Sequence, residues 1–163
     1  NHQHPIFGGQ HNIDLLRWLA GDVEEVKTIS SNKGFPEIPV DDTYIIQMKL
    51  KNGGVANILT CFGPRVKQEY HPLRLYGTKG SAHGNEIMTE KNGEIHIEKI
   101  KNASYGGVPQ FRAQISSFID AVVSGDKKDV VTAEDAYNTV AVCIAAIESL
   151  DKGQSIKVDN FRL

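Results

Sequence analysis

Tyr44, Ile46, Met48 and Leu50 alternate with Thr43, Ile45, Gln47 and Lys49, the period of two that predicts a strand. Asn52-Gly53-Gly54 follows, a segment able to take the positive φ of a tight hairpin turn. The return strand sets Val55, Leu59 and Cys61 on one face and Ala56, Ile58 and Phe62 on the other. Val23 to Ser30 is compatible with an earlier strand, although its alternation is poor. A strand around Leu73 to Tyr76 runs into the turn Gly77-Thr78-Lys79-Gly80, and Asn92-Gly93 turns the chain into Glu94 to Ile100. Three tight turns between consecutive strands predict a largely antiparallel sheet.

Helical spacing appears in three places. His11, Leu15, Trp18 and Leu19 fall on one face of a short helix that stops at Gly21. Phe111, Ile115, Phe118, Ile119 and Val122 make a second stripe, ended near Gly125. Thr132 with Asp135 has the form of a capping box opening a third helix, whose stripe is Ala136, Val140, Cys143, Ile144 and Ile147 and whose breaker is Gly153. A last strand at Ser155 to Val158 can return to the sheet. Strands grouped together with helices beside them predict an α+β fold, an open, largely antiparallel sheet with helices packed on one face. Several strands are apolar on both faces, so the uncovered face is expected to meet another domain or subunit.

The 163 residues match about one domain, at roughly 150 residues each. Composition is that of an ordinary globular chain, with 40% hydrophobic and 23% charged residues. A net charge of −2 lacks the basic excess that nucleic-acid binding requires. The longest apolar run, Val140 to Ile147, has eight residues against the ~20 of a membrane-spanning helix. No basic segment followed by an apolar one opens the chain, so no secretory signal is expected. Cys61 and Cys143 lie far apart outside any CxxC spacing, the pattern of two buried thiols in a reducing, cytoplasmic compartment.

Candidate chemistry is sparse. There is no Gly-x-Gly-x-x-Gly or Walker loop, no Gly-x-Ser-x-Gly elbow and no His-Glu-x-x-His helix. His11 stands out, just after Gly8-Gly9 in the first turn of an amphipathic helix. A histidine there can act as a general acid/base or simply cap the helix and bond Asp14, three residues on. His2 and His4 lack further metal ligands nearby, and no metal site is expected. His71 and His83 read as loop or strand-edge residues and His96 as an exposed strand position. Trp18 and Tyr76 read as core or interface aromatics.

Gly8-Gly9-Gln10-His11-Asn12-Ile13-Asp14-Leu15-Leu16-Arg17-Trp18-Leu19-Ala20-Gly21 resembles the G-G-x-H-x-x-D-L-x-R-W-L-x-G pattern of the glucose–fructose oxidoreductase/inositol dehydrogenase (Gfo/Idh/MocA) family. Leu75-Tyr76-Gly77-Thr78-Lys79-Gly80-Ser81 is similar to that family's L-x-G-T-x-G turn, and the closing helix, Lys152-Gly153 and Ile156 to Val158 match its ending. The resemblance spans essentially residues 1–163 and implies a single C-terminal α+β domain of a two-domain enzyme. Its Rossmann half, absent from this chain, would bind NAD or NADP.

The resemblance also implies substrate binding and oligomerisation here, as a homodimer or homotetramer, for a sugar or polyol dehydrogenase whose isolated half is inactive. His11 matches the catalytic histidine and Asp14 the supporting Asp of His-x-x-Asp. Many members carry an Asp four residues before the histidine, where this chain has Phe7. Arg65, Tyr70, His71 and Tyr105, in two loops, suit recognition of substrate hydroxyls or carboxylates. The competing expectation is a non-catalytic binding or assembly module that dimerises through its sheet.

Overall fold

In a computed structural model, residues 9–62, 73–100, 108–126 and 130–161 are described. The chain divides into two compact units, Asn1–Arg65 with Val131–Leu163, and Val66–Val130. The fold is α+β, with antiparallel strand pairs and, among the described residues, three helices.

The first unit contains α1 (Gln10–Ala20), β1 (Val23–Ser31), β2 (Thr43–Leu50), β3 (Val55–Cys61), α3 (Ala133–Lys152) and β8 (Ile156–Lys157). Its sheet has the order β3-β2-β1-β8. Alternation in β2 does what the pattern predicts: Tyr44, Ile46, Met48 and Leu50 are all buried. Registers place Ser30, Tyr44 and Thr60 in one inner row, and Thr28, Ile46 and Ile58 in the next. A bulge between Val23 and Glu25 shifts the phase of β1, so that Val23 and Val26 both point inward. This irregularity is why β1 alternates poorly in sequence. Gly53, with φ of 88°, closes the β2–β3 hairpin, and its N–H reaches the Leu50 carbonyl at 3.0 Å.

Helices α1 and α3 cover the inner face, and their buried side chains join those of the strands in one core. Full burial contributes about 1.5–3 kcal/mol for each large aliphatic side chain in it. The buried faces of both helices differ from the predicted stripes. In α1, Ile13 and Leu16 are buried, whereas Trp18 is 82% exposed and Leu19 is exposed as well. In α3, Val140 and Ile144 turn outward, and the buried face is Asn138, Thr139, Ala141, Val142, Cys143, Ala145, Ala146 and Ser149. Small side chains let α3 approach β1 closely, and the Ser149 hydroxyl accepts the Thr28 N–H at 3.0 Å while donating to the Gln154 carbonyl. Thr132 and Asp135 do form the predicted capping box, and Gly153 ends α3 in the left-handed region.

The second unit contains β4 (Arg74–Gly77), β5 (Gly80–His83), β6 (Glu86–Lys91), β7 (Glu94–Lys99) and α2 (Val108–Ser124). Its four strands form a separate meander in the order β4-β5-β6-β7. The strands are therefore shared between two sheets. Asn92 and Gly93 both take positive φ, as the β6–β7 turn requires. Phe111, Ile115, Phe118, Ile119 and Val122 lie along α2 as predicted, and all five are exposed. Tyr76 is 83% exposed, so neither it nor Trp18 is a core residue. His83 and His96 are exposed strand positions. No helix among the described residues is long and apolar enough to cross a membrane.

Candidate active site

The start of α1 lies at the end of the first sheet where β3 finishes. Gly9, the residue preceding the helix, is buried against β3, and a Cβ on it would stand 3.4 Å from Thr60 Oγ1. That approach sets the first turn of α1 beside the inner row Ser30–Tyr44–Thr60. Among the described residues, no side chain caps the helix start. His11, in the first turn, is exposed and has no hydrogen-bond partner among the described residues. An imidazole held this way can exchange a proton with a ligand hydroxyl at either ring nitrogen.

Asp14 does not reach towards His11. Its Oδ1 accepts a hydrogen bond from the Thr139 hydroxyl of α3 at 2.9 Å. Thr139 in turn accepts from Arg17 Nη1 at 2.8 Å, and the same nitrogen donates to the Asp135 carbonyl at 2.9 Å. Arg17 Nη2 and Nε both donate to Asp22 Oδ1, at 2.8 and 3.2 Å. Lys51 adds an ion pair to the other Asp22 oxygen at 3.3 Å. Partial burial works to raise the Asp22 pKa, but the hydrogen bonds and charges of Arg17 and Lys51 outweigh it and hold the carboxyl below its ordinary value. Asp14, Thr139, Arg17 and Asp22 thus form one continuous polar chain, tying α1 to α3 and to the turn before β1.

Four further hydrogen bonds brace the end of the sheet where α1 begins. Asp42 accepts from the Thr43 hydroxyl at 2.7 Å and from the N–H groups of Phe35 and Gly34 at 2.9 and 2.6 Å. These donors lower its pKa, the Thr43 and Phe35 bonds most, against the opposing effect of desolvation. The Tyr44 hydroxyl donates to the Asp41 carbonyl at 2.7 Å, and burial with the nearby Asp41 and Asp42 pushes it up to about 12. Loop 32–42 is therefore pinned beside the strand ends rather than loosely attached.

The two cysteines differ. Cys143 is buried, and desolvation pushes its thiol up to about 11. Cys61 is only half-buried, with Sγ 3.1 Å from Thr43 Oγ1, because it sits on the outer face of an edge strand.

Of the residues singled out in the sequence, His11 and Asp14 share the first turns of α1. Arg65, Tyr70, His71, Tyr105 and Phe7 lie outside the described residues. Thr139, Arg17 and Asp42 were not anticipated. Arg17 stands inside the recognised motif, but its partner Thr139 lies 122 positions away, a separation with no local signal. A shallow groove of about 430 Å³ lies on the outer face, lined by Glu25, Lys27, Gln47, Lys49 and Asn57 among others. It is across the sheet from α1, on the opposite face from His11.

The chain is 30% identical over 173 residues to inositol 2-dehydrogenase 2 of Mycolicibacterium vanbaalenii, covering 91% of this chain and 45% of that protein. It is 23% identical over 154 residues to 1,5-anhydro-D-fructose reductase of Ensifer adhaerens, again covering 91% of this chain and 45% of that protein. The chain thus spans about half the length of the curated relatives it matches. Among solved structures, levoglucosan dehydrogenase in complex with NADH and levoglucosan superposes with a TM-score of 0.77 at 18% identity, over 94% of this chain and 49% of that one. An oxidoreductase from Agrobacterium radiobacter, in complex with NAD+, L-tartaric acid and magnesium, gives 0.69 at 21% identity, over 92% of this chain and 47% of that one. These two likenesses show the fold. The family profile described as "Oxidoreductase family, C-terminal alpha/beta domain" matches residues 2–158, and the chain belongs to that family.

Proposed function

We propose that this chain is the substrate-binding and oligomerisation half of a nicotinamide-dependent oxidoreductase acting on a sugar, a polyol or a related hydroxyl compound. The observation that carries the reading is His11: an exposed imidazole without a partner among the described residues, at the motif position of the family histidine. Relatives that act on inositol and on 1,5-anhydro-D-fructose support a polyhydroxylated substrate. His11 exchanges a proton with the substrate hydroxyl or carbonyl oxygen. Asp14 supports it from the next turn, and Arg65, Tyr70, His71 and Tyr105 supply substrate contacts. The setting is cytoplasmic, which keeps both thiols reduced.

NAD or NADP supplies the hydride chemistry when bound. The chain has no Gly-x-Gly-x-x-Gly segment, the motif that cradles a dinucleotide's phosphates. Cofactor binding is assigned to a Rossmann half outside these residues. Assembly as a homodimer or homotetramer uses the outer face of the first sheet. There Ile29, Ile45 and Leu59 form one cross-strand apolar row, with Ile29 and Leu59 more than half exposed. An interface of about 1,600 Å² is the usual size for a stable, specific pair.

The test is His11→Ala in the full-length protein. General acid/base help is worth about 10²–10⁴-fold, so kcat is expected to fall by that factor, with KM for the polyol changing much less. A variant with near-normal kcat across the pH range removes His11 from the reaction.

A further inference from the structure

The polar chain behind α1 has a fixed direction. A guanidinium only donates, so the Thr139 oxygen must accept from Arg17 and the Thr139 proton must point at Asp14. Asp14 and Arg17 are three residues apart on α1, close enough for a direct ion pair along the helix surface. Instead, a hydroxyl from α3 lies between them. Thr139 is buried and the Arg17 side chain is only 7% exposed, so the Arg17–Thr139 bond is largely shielded from water, while Asp14 sits at the exposed end of the chain. A slip of α1 along α3 by one turn, about 5.4 Å, would lose the bonds of Asp14 and Arg17 to Thr139 and of Arg17 to the Asp135 carbonyl.

We propose that Thr139, ordered by Arg17, is a positioning residue for His11: it fixes the axial register of α1 on α3 and so sets where the imidazole meets the substrate. This rests on the reading of His11 as the acid/base. Asp14 stands one turn behind His11, and nothing else among the described residues hydrogen-bonds the Asp14 side chain. The hydroxyl of Thr139 therefore joins α3 to α1 at both Asp14 and Arg17, beside the Arg17 bond to the Asp135 carbonyl and the packing of Ile13 and Leu16. A displacement of about 1 Å at a reacting group can cost on the order of 10²-fold in rate, so even partial loss of register is measurable.

The experiment compares Thr139→Val, Thr139→Ser, Ser149→Ala and His11→Ala in the full-length enzyme, with kcat, KM and unfolding midpoint measured for each. Thr139→Val keeps the shape and removes the hydroxyl; kcat is expected to fall about tenfold or more, towards the loss that misplacement brings. KM for the cofactor stays within about twofold, and Thr139→Ser restores kcat to within about twofold. Ser149→Ala removes a buried hydroxyl from the same helix ten positions away, about 15 Å along its axis. It is expected to lower the unfolding midpoint while leaving kcat unchanged, which separates positioning from general stability. A folded Thr139→Val with kcat within twofold of wild type overturns the proposal. So does a kcat loss that Ser149→Ala reproduces at equal loss of midpoint, or one that Thr139→Ser fails to repair. If Thr139→Val does not fold, Thr139→Ala decides: a folded enzyme whose kcat falls about tenfold or more is the supporting result, and one with kcat within about twofold of wild type is the overturning one. A His11→Ala enzyme with full activity instead strikes the acid/base reading itself.

Discussion

Replacing Arg17 by Met keeps most of the apolar stem and deletes the guanidinium, so its cost can be worked from the bonds the head group makes. The Asp22 side chain is 35% exposed, and solvent screening limits that pair to about 0–1 kcal/mol. The bond to Thr139 is different, because it joins a buried charged donor to a buried hydroxyl, and such bonds contribute about 1.5–3 kcal/mol. The Asp135 carbonyl lies at an exposed contact and regains water, adding little. The expected loss is therefore about 1.5–4 kcal/mol, read by urea unfolding followed by far-UV circular dichroism with an unchanged slope. A double-mutant cycle with Thr139→Val isolates the shared term, expected at about 1 kcal/mol or more for groups in direct contact. An Arg17→Met chain within about 0.5 kcal/mol of wild type, or a cycle that closes additively, would refute the account of Arg17 and Thr139 as one unit.

Three further outcomes follow from single contacts. Ser149→Ala strands the buried Thr28 N–H and is expected to cost about 1–3 kcal/mol in the same urea assay, whereas a neutral result would mean that water replaces the hydroxyl. Asp42 has a folded pKa below its unfolded one, so its contribution is complete above about pH 5 and is lost as pH falls through the carboxylate range towards the folded value; the urea midpoint should drop between pH 6 and pH 3.5, and Asp42→Asn should flatten that drop. Ile45→Lys on the outer face is expected to weaken self-association in sedimentation while the chain stays folded, and Ile46→Lys, one residue on and fully buried, to prevent folding; association unchanged by Ile45→Lys would count against the outer face as the interface.

Strand β2 and its hairpin are legible because a half-buried strand on a regular hairpin has one solution: Tyr44 to Leu50 alternate, and the Asn-Gly-Gly turn fixes the register. The helices are less legible because the largest apolar residues do not mark their buried faces. In α3 the close approach to β1 selects Ala141, Ala145 and Ser149, while Val140 and Ile144 lie outside the contact. In α1, apolar residues surround the helix, and packing chooses Ile13 and Leu16 over Trp18 and Leu19. The candidate histidine is legible through a local motif. The groups that brace it are not, since Thr139 meets Arg17 only after the whole second unit has been traversed.

The alternation of a strand also separates the two roles assigned to this chain. On the inner face, Tyr44 and Thr60 share the row beside which α1 begins, and the register of α1 there is set by Thr139. On the outer face, one residue later in β2 and one earlier in β3, Ile45 faces Leu59 and extends to Ile29. Under the proposed function, neighbouring positions in β2 therefore answer to different pressures: Tyr44 and Ile46 to the packing that seats α1, Ile45 to the proposed association. Because inner and outer side chains share one backbone but no contacts, substitutions on the two faces should act nearly additively, as distant sites do. A coupling energy well above about 0.5 kcal/mol between Ile45→Ala and Thr139→Val would mean that assembly reaches through the sheet to the His11 turn, and the separation of roles would not hold.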